Sequence, residues 1–237
     1  MNGTLYLFPT PIGENETYNS TPAINGAILN LCDCFIVEEL PTVRRFLRKA
    51  GYKKSFDDVT FFELNEHTNL NEIDAYLQPL FAGRNVGVLS EAGLPCVADP
   101  GWQIVRLAHR NHIKVVPLVG ASSLMLALMA SGFCGQNFAF VGYLPIPAQS
   151  RRQAIIQLEQ LAERTGQTQI FIEAPYRNNK LLEALEATLK KETMLCVACD
   201  LMLPTEQIIS QPIGKWQQQT ISFHKRNSVF LISSPTF

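Results

Sequence analysis

Short apolar runs rich in β-branched and aromatic residues alternate with segments whose apolar residues recur every three or four positions. In the first half of the chain, five such runs predict β-strands: TLYLFPT, CDCFIVEE, VTFFELN, NVGVLSE and IKVVPLV. The segments between them have helical periodicity: PAINGAILNL, TVRRFLRKAG, LNEIDAYLQPLFAG and GWQIVRLAHRNH. This β–α alternation with short connections predicts a mainly parallel sheet with helices on its faces.

The pattern changes after Pro117, where LVGASSLMLALMASGFCG predicts a break and then a small-residue helix capped by Ser122 or Ser123. The later strands are predicted in FAFVGYLP, TQIFIEAP, MLCVACDL, TEQIISQPIG and SVFLISS. Two helices are predicted among them, in RRQAIIQLEQLAERTG and NNKLLEALEATLKKE. The fold class is therefore α/β, with a parallel N-terminal domain (1–118) and a mixed C-terminal domain (119–237).

Composition narrows the class of protein without naming a partner. Hydrophobic residues make up 46% of the chain and the net charge is −1, so any polyanion must bind a local patch. No apolar run is long enough to cross a membrane and the N-terminus lacks signal-peptide features, so we expect a cytoplasmic protein. The six cysteines are typical of buried thiols, and Cys196 and Cys199 would point to opposite faces of a strand, so we expect no metal site.

The loops that leave the predicted strands carry most of the polar and conformationally special residues. They are PTPIG (9–13), EELPT (38–42), NEH (65–67) and the loop within VGVLSEAGLPCVADPGW (86–102). Ligands of parallel sheets bind beyond the carboxyl ends of the strands, and Gly/Pro loops suit a ligand held by main-chain groups. A single loop of this kind is also an ordinary connection. The glycine-rich dinucleotide and nucleoside-triphosphate motifs are absent from the sequence.

Five segments resemble, in the same order, the motifs of the tetrapyrrole methylase superfamily of S-adenosylmethionine-dependent methyltransferases. They are LYLFPTPIG, SEAGLPCVADPGW, VPLVGASSLMLALMASG, FVGYLP and FIEAPYRNNKLLEAL. Within the superfamily they are most similar to the branch that methylates small-subunit ribosomal RNA. The resemblance implies a two-domain enzyme, usually a homodimer, that binds S-adenosylmethionine in a cleft between its domains.

The resemblance also implies which residues bind the cofactor. In the first half they are Pro9, Thr10, Pro11, Ile12 and Gly13, then Ser90, Glu91, Ala92, Gly93, Leu94 and Pro95, and then Gly120, Ala121, Ser122 and Ser123. In the second half they are Glu173, Ala174, Pro175 and Tyr176, followed by Cys199, Asp200, Leu201 and Met202.

The branch typically carries Ala-Glu-Asp-Thr-Arg after its second strand, whereas this chain has Val37-Glu38-Glu39-Leu40-Pro41. Glu38, Glu66, His67, Asp99, Pro175 and Arg177 match the branch. A hydroxyl acceptor must lose its proton during methyl transfer, and Glu38, Glu39 and His67 are the candidate catalytic residues. They could equally be a helix N-terminal acid pair and a hydrogen-bonded loop histidine.

The segment RRFLRKAGYKK (44–54) is the candidate surface for an RNA substrate. Arg44, Arg45, Arg48, Lys49 and Arg177 are the predicted substrate-binding residues, with Phe46 and Tyr52 as possible stacking partners. The alternative is a solvated helix surface with Phe46 in the core.

Three other functions stay open from the sequence. One is a methyltransferase of the same fold that acts on a small molecule, and another is a non-catalytic S-adenosylmethionine binder. The third is a hydrolase that would use Ser122, Asp200 and His224 as nucleophile, acid and base.

Overall fold

The computed structural model describes residues 2–13, 21–65, 67–69, 71–218 and 220–235. Glu66, which matches the family pattern, lies outside the described residues. The chain divides into two compact units, residues 1–122 and 123–237.

The N-terminal unit is built on a five-stranded parallel sheet with the order β3-β2-β4-β1-β5. Its strands are β1 (Thr4–Phe8), β2 (Cys34–Val37), β3 (Thr60–Glu63), β4 (Val86–Leu89) and β5 (Lys114–Pro117). Its helices are α1 (Ala23–Leu29), α2 (Leu40–Lys49), α3 (Gln78–Phe81) and α4 (Trp102–Arg110). The predicted parallel α/β arrangement is confirmed.

Two hydrophobic cores cover the two faces of this sheet, which is why its central strands read as unbroken apolar runs. Along β2, Cys34 and Ile36 pack into one core, whereas Phe35 and Val37 pack into the other. Gly87 in β4 leaves room for an aromatic ring, because an added Cβ would lie 2.7 Å from Phe35.

The segment LNEIDAYLQPLFAG does not form the single helix that its periodicity predicts. A 3-10 helix, Ile73–Leu77, precedes the four-residue helix α3. Pro79 lies near the start of α3, and proline cannot donate the backbone hydrogen bond that a longer helix would need there.

The C-terminal unit contains a mixed sheet with the order β6-β7-β10-β8-β9, in which only β6 and β7 pair in parallel. Its strands are β6 (Phe138–Tyr143), β7 (Thr168–Ile172), β8 (Met194–Cys199), β9 (Gln207–Pro212) and β10 (Ser228–Ser233). Its helices are α5 (Ser123–Ser131), α6 (Ala148–Thr165), α7 (Asn178–Thr188) and α8 (Ile213–Trp216). The predicted mixed sheet is confirmed.

One core fills the C-terminal unit, and the stacked rings of Phe171 and Phe230 lie 5.9 Å apart within it. The sulfur-bearing residues Cys196 and Cys199 are both buried in β8 as free thiols, and only Cys199 belongs to this core. The two therefore occupy opposite faces of the strand, as their spacing predicts.

Among the described residues, no helix is both long and apolar enough to cross a membrane.

Candidate active site

A cavity of about 960 Å³ opens in the N-terminal unit where β2, β3 and β4 end. Glu38 and Glu39 reach it directly after β2, and His67 reaches it from the loop after β3. The structure thus brings the three candidate catalytic residues to one cavity. Parallel strands explain the meeting, because their carboxyl ends lie at the same edge of the sheet.

Two more carboxylates, Glu91 and Asp99, line the same cavity from the loop after β4. The backbone N–H of Glu91 lies 3.4 Å from Oε2 of Glu38 and donates to it. Burial raises the pKa of Glu38, and the nearby charges of Asp99 and Glu39 raise it further. The carboxyl group of Glu38 therefore holds a proton more readily than an exposed glutamate does.

Glu39 and Glu91 have opposite pKa shifts, and a hydrogen bond between their carboxyl groups contributes to both after a larger separate cause. The pKa of Glu39 is lowered, first by the hydroxyl of Thr42, which donates to its Oε2 over 2.7 Å, and then by Glu91. The pKa of Glu91 is raised, first by burial and then by the hydrogen bond to Glu39. Within this pair, Glu91 therefore binds a proton more readily than Glu39 does.

The backbone of the loop after β3 holds His67 through short-range hydrogen bonds. The N–H of His67 donates to Oδ1 of Asn65 over 3.0 Å. The N–H of Asn65 in turn donates to the hydroxyl of Thr68 over 2.9 Å. This small turn sets the position from which the exposed imidazole reaches the cavity.

The loop between β4 and α4 contains two residues in the left-handed region, Cys96 at φ 71° and Ala98 at φ 65°. Residues other than glycine adopt this region at an energetic cost, and such strain occurs mostly at functional sites. Asp99 stabilises the loop, since its carboxylate accepts from the N–H of Cys96 at 2.9 Å and of Gly101 at 2.7 Å. Burial nevertheless raises the pKa of Asp99.

The loops predicted to bind the cofactor approach one another closely within the N-terminal unit. Thr10 and Gly93 exchange backbone hydrogen bonds of 2.9 and 3.1 Å and form an isolated antiparallel bridge. Gly120 packs against the ring of Pro9 so tightly that an added Cβ would lie 2.1 Å from Cβ of Pro9. The buried hydroxyl of Ser90 is 3.5 Å from the carbonyl oxygen of Gly93. Three separate segments of the chain thus meet in one place.

In the C-terminal unit, Glu173 and Arg177 form an ion pair directly after β7. Oε1 of Glu173 accepts from Nε of Arg177 over 2.8 Å and from the N–H of Ala174 over 2.7 Å. Arg177 also donates to the hydroxyl of Tyr176 over 2.8 Å, so its guanidinium is bound within the unit. Its role as a substrate contact stays a prediction.

Asp200 follows β8 in the left-handed region at φ 49°, and Met202 does so at φ 68°. Oδ2 of Asp200 accepts from Nε of Arg226 over 2.7 Å and from the hydroxyl of Thr205 over 2.9 Å. These bonds hold the Cys199–Met202 segment in shape. They also engage the carboxylate that a hydrolase would need to orient His224, which itself lies exposed in a turn.

The basic residues of α2 are exposed, but two of their guanidinium groups contact the protein itself. Nη1 of Arg48 donates to the carbonyl oxygens of Tyr52 and Lys54, and its Cζ lies 3.9 Å from the ring centroid of Phe56. Arg44 lies over the rings of Phe56 and Phe61. Arg45 and Lys49 are also exposed.

Tyr52 cannot provide the stacking surface considered from the sequence, because it is buried and its hydroxyl donates to the carbonyl oxygen of Cys32. Phe46 packs against the hydrophobic core to which Tyr52 belongs. This agrees with the alternative interpretation, in which the helix surface is solvated and Phe46 lies in the core.

The site residues predicted from the sequence do not include seven of the residues that line the cavity: Asn65, Cys96, Ala98, Asp99, Pro100, Trp102 and Gln103. Two of these define its shape, Asp99 as the acceptor that stabilises the loop and Trp102 as an aromatic residue on its wall. Both lie within residues 86–102, and Asp99 matches the family pattern, but the sequence alone does not show that they face the same cavity as Glu38. Among the residues that the structure describes, no group of three His, Cys, Asp or Glu side chains could hold a metal ion.

The sequence pattern of a known family covers most of the chain. Residues 26–216 match the family model described as Tetrapyrrole (Corrin/Porphyrin) Methylases. The chain belongs to the tetrapyrrole methylase family. Membership confirms the resemblance drawn from the motifs, and with it the assignment as a methyltransferase whose methyl donor is S-adenosylmethionine.

Individual relatives of this tetrapyrrole methylase agree with the family match. It is 30% identical to ribosomal RNA small subunit methyltransferase I of Pasteurella multocida over 92% of this chain and 73% of the relative. It is 31% identical to the protein of the same name from Haemophilus influenzae over 90% of this chain and 71% of the relative. A solved uroporphyrin-III C-methyltransferase from Thermus thermophilus, complexed with S-adenosylhomocysteine, has the same fold: the TM-score is 0.59, the identity 15% and the coverage 99% of both chains.

Two residues that the family resemblance assigns to the cofactor, one in each unit, have a buried polar side-chain atom without a partner among the described residues. The hydroxyl of Thr10 and Oε2 of Glu173 are both buried and make no hydrogen bond to any described residue. Buried polar atoms are rarely left unpaired, so each is suited to a polar group of a bound ligand. Gly120 has no room for a Cβ beside Pro9, so glycine is what allows these two loops to pack together.

Proposed function

We propose that this methyltransferase transfers the methyl group of S-adenosylmethionine to a ribose 2′-hydroxyl of small-subunit ribosomal RNA. The relatives of about 30% identity are named as ribosomal RNA small subunit methyltransferases, which supports the RNA acceptor. The observation that carries the proposal is the cavity in which Glu38, Glu39 and His67 meet. A ribose hydroxyl is a poor nucleophile, and this cavity offers it a base.

Glu38 is the residue proposed to remove the acceptor proton. As the acceptor oxygen forms its bond to the methyl carbon, the carbon–sulfur bond breaks and the carboxylate of Glu38 takes the hydroxyl proton. Burial raises the pKa of Glu38, which makes its ionised form a stronger base than an exposed glutamate. Glu39 and His67 are proposed to orient the acceptor beside it.

The proposed cofactor residues would supply mainly backbone contacts. Thr10 and Gly93, joined by their backbone bridge, and Gly120 beside Pro9 would hold the donor from the N-terminal unit. Glu173 is also proposed as a cofactor residue, because its buried Oε2 has no partner among the described residues. The donor supplies an electrophilic methyl carbon on a sulfonium, so the protein mainly needs to position it and exclude water.

A methyl acceptor of low molecular weight is the second candidate. It is favoured by Arg48, whose guanidinium is engaged by two carbonyl groups and one ring of the protein and so adds little to a phosphate-binding surface. One solved protein of the same fold is named as a uroporphyrin-III C-methyltransferase.

Labelled S-adenosylmethionine tests the choice directly. The purified chain is incubated with unmodified small-subunit ribosomal RNA made by transcription, with assembled small subunits, and with a metabolite extract. We expect label in the RNA, at a linkage that resists alkaline cleavage because its 2′-oxygen is methylated. The Glu38→Gln variant should transfer label about 10²- to 10⁴-fold more slowly. Glu192→Gln changes the same charge at an exposed site of the other unit and should be fully active.

Label in a metabolite but in neither form of RNA would establish the second candidate. If calorimetry shows that S-adenosylhomocysteine binds but no acceptor receives label, the protein is a non-catalytic binder.

We further propose that the chain works as a homodimer in the cytoplasm. Helix α5 has apolar residues on all sides, and Met129 remains 79% exposed on it. A helix of this kind is normally covered, and a second copy of the chain is the partner that the family resemblance implies. The six free thiols suit a reducing compartment, where small ribosomal subunits also occur.

A further inference from the structure

Trp102 lies on the wall of the cavity that contains Glu38, and its side chain is exposed to an unusual degree. The residue is 50% exposed, although tryptophan has the largest apolar surface of any side chain. The other tryptophan of the chain, Trp216, is 1% exposed and donates its Nε1–H to the carbonyl oxygen of Leu195. Packing of the fold therefore accounts for Trp216 but leaves Trp102 uncovered.

The backbone around Trp102 holds it in place before any ligand binds. Trp102 is the first residue of α4, and the preceding Gly101 donates its N–H to Asp99 over 2.7 Å. Two residues later, Ile104 is fully buried in a hydrophobic core. Because the backbone at Trp102 is already fixed, only the side-chain torsions of this residue need to be ordered when a flat ligand stacks on its ring.

The charges of the cavity determine which part of a nucleotide can enter. Four carboxylates, those of Glu38, Glu39, Glu91 and Asp99, line it, and its described lining includes no lysine or arginine. A phosphate would be repelled there, whereas a ribose and an uncharged base would not. Every nucleobase has a flat face that stacks on an aromatic side chain.

We propose that Trp102 is the surface on which the base of the acceptor nucleotide stacks, so that the ribose of that nucleotide is held beside Glu38. The inference rests on the proposed function, because it names the part of the RNA that this cavity receives. Trp102 is a positioning residue. It fixes the base, and because the base is joined to the ribose by the glycosidic bond, the 2′-hydroxyl is placed as well.

The test compares two short RNA substrates that contain the mapped methylation site. One is intact, and the other lacks only the base of the acceptor nucleotide and keeps its ribose. With the intact RNA, Trp102→Leu should raise the KM for RNA about 5- to 150-fold, whereas Trp102→Phe should stay within a few-fold of wild type. With the abasic RNA, wild type and Trp102→Leu should have the same KM. The KM for S-adenosylmethionine should not change in either variant.

Phe81→Leu is the matched control, because Phe81 is an aromatic residue with 43% exposure that does not line the cavity. It should leave the KM for RNA unchanged. Equal melting temperatures of wild type and Trp102→Leu, with and without S-adenosylhomocysteine, would show that the fold is intact. Fluorescence gives a second measurement, since the intact RNA should quench the emission of wild type more than that of Trp102→Phe, in which only the buried Trp216 emits.

Three results would overturn the inference while leaving the proposed function standing. They are an unchanged KM for RNA in Trp102→Leu, an equal loss with the abasic RNA, and a rise in the KM for S-adenosylmethionine in place of that for RNA. The last would mean that Trp102 stacks on the adenine of the donor. If wild type methylates no RNA at all, the proposed function fails, and this inference fails with it.

Discussion

The carboxyl group of Glu38 lies half-buried beside Asp99 and Glu39, and burial is the larger cause of its raised pKa. A general base works only in its ionised form, so the rate of methyl transfer should fall as the pH is lowered through this raised pKa. We expect the rate profile of wild type to have an acid limb above the ordinary pKa of glutamate. The Glu38→Gln variant should lose that limb together with most of its activity. Single-turnover rates between pH 4.5 and 8.5 test this, and an unshifted limb in the variant would assign the proton to another group.

Glu91 permits a prediction about stability rather than activity. Its pKa is raised in the folded protein, so the folded chain binds a proton more tightly there than the unfolded chain does. The stabilisation is complete below the ordinary glutamate pKa and is lost as the pH rises through the raised value. Glu91→Gln does not titrate, and its amide still offers a donor to Glu39.

The melting temperatures of Glu91→Gln and wild type should therefore be similar near pH 4, apart from a constant offset. As the pH rises to 7, the melting temperature of the variant should rise relative to that of wild type. Each kcal/mol of stabilisation that wild type loses corresponds to about 2–4 °C. Scanning calorimetry at both pH values measures the difference, with Glu192→Gln as the control. A melting temperature of Glu91→Gln that stays level with or falls relative to that of wild type as the pH rises would contradict the assigned shift.

The cavity residues illustrate what the sequence can predict at this scale. Glu38, Glu39 and His67 could be predicted as a group because each directly follows a parallel strand, and strand ends converge. Asp99 and Trp102 could not, because their directions depend on the left-handed backbone at Cys96 and Ala98, which no residue preference predicts. The hydrogen bonds from Arg48 to the carbonyl oxygens of Tyr52 and Lys54 likewise depend on the path of the chain after α2, which the sequence does not predict.

At the scale of elements, the central strands of the parallel sheet were predictable because they are short, uninterrupted apolar runs that are buried on both faces. The helix predicted through Pro79 was too long, since hydrophobic periodicity carries no information about the missing proline donor. The loops that follow the strands indicate the position of the site better than the strands do. They contain the left-handed backbone residues and the polar side chains that line the cavity.

The contact between the loops after β1 and β5 provides a test of the cofactor assignment. Gly120→Ala would place a methyl group 2.1 Å from Cβ of Pro9 and so force the two loops apart. We expect a loss of stability of about 1–3 kcal/mol and a weaker affinity for S-adenosylhomocysteine by isothermal calorimetry. Gly135→Ala is the matched control, because an added Cβ meets nothing within 4 Å there. Unchanged affinity in Gly120→Ala would remove this loop from the cofactor site.

In the C-terminal unit, Arg226 links the loop after β8 to the segment before β10. Its guanidinium donates to Asp200, to Oε1 of Gln207 and to the carbonyl oxygen of Thr205. Arg226→Ala leaves the largely buried Asp200 carboxylate without its counter-charge, and we expect a loss of about 3 kcal/mol in the free energy of unfolding. Urea denaturation measures it. Arg152→Ala removes an exposed arginine and should change the stability by less than about 0.5 kcal/mol.

At the scale of the whole molecule, the exposed apolar surface of α5 predicts self-association. Light scattering after gel filtration should give twice the 26.5 kDa mass of one chain. Met129 is 79% exposed in a single chain, so Met129→Glu should not unfold the protein. A charge on this surface should shift the protein toward the monomer. Leu31→Glu, at a 57% exposed leucine of the N-terminal unit, should remain dimeric. A wild-type monomer, or a Met129→Glu dimer of unchanged stability, would contradict this surface as the interface.

The backbone bridge between Thr10 and Gly93 couples two loops that are more than eighty residues apart in the chain. Because each residue of the pair both donates and accepts, neither loop can shift by itself without losing two hydrogen bonds. Substitutions in one loop should therefore be tolerated mainly when the other changes with them. Whoever redesigns the donor specificity of this enzyme should treat both loops as one unit and exchange them together.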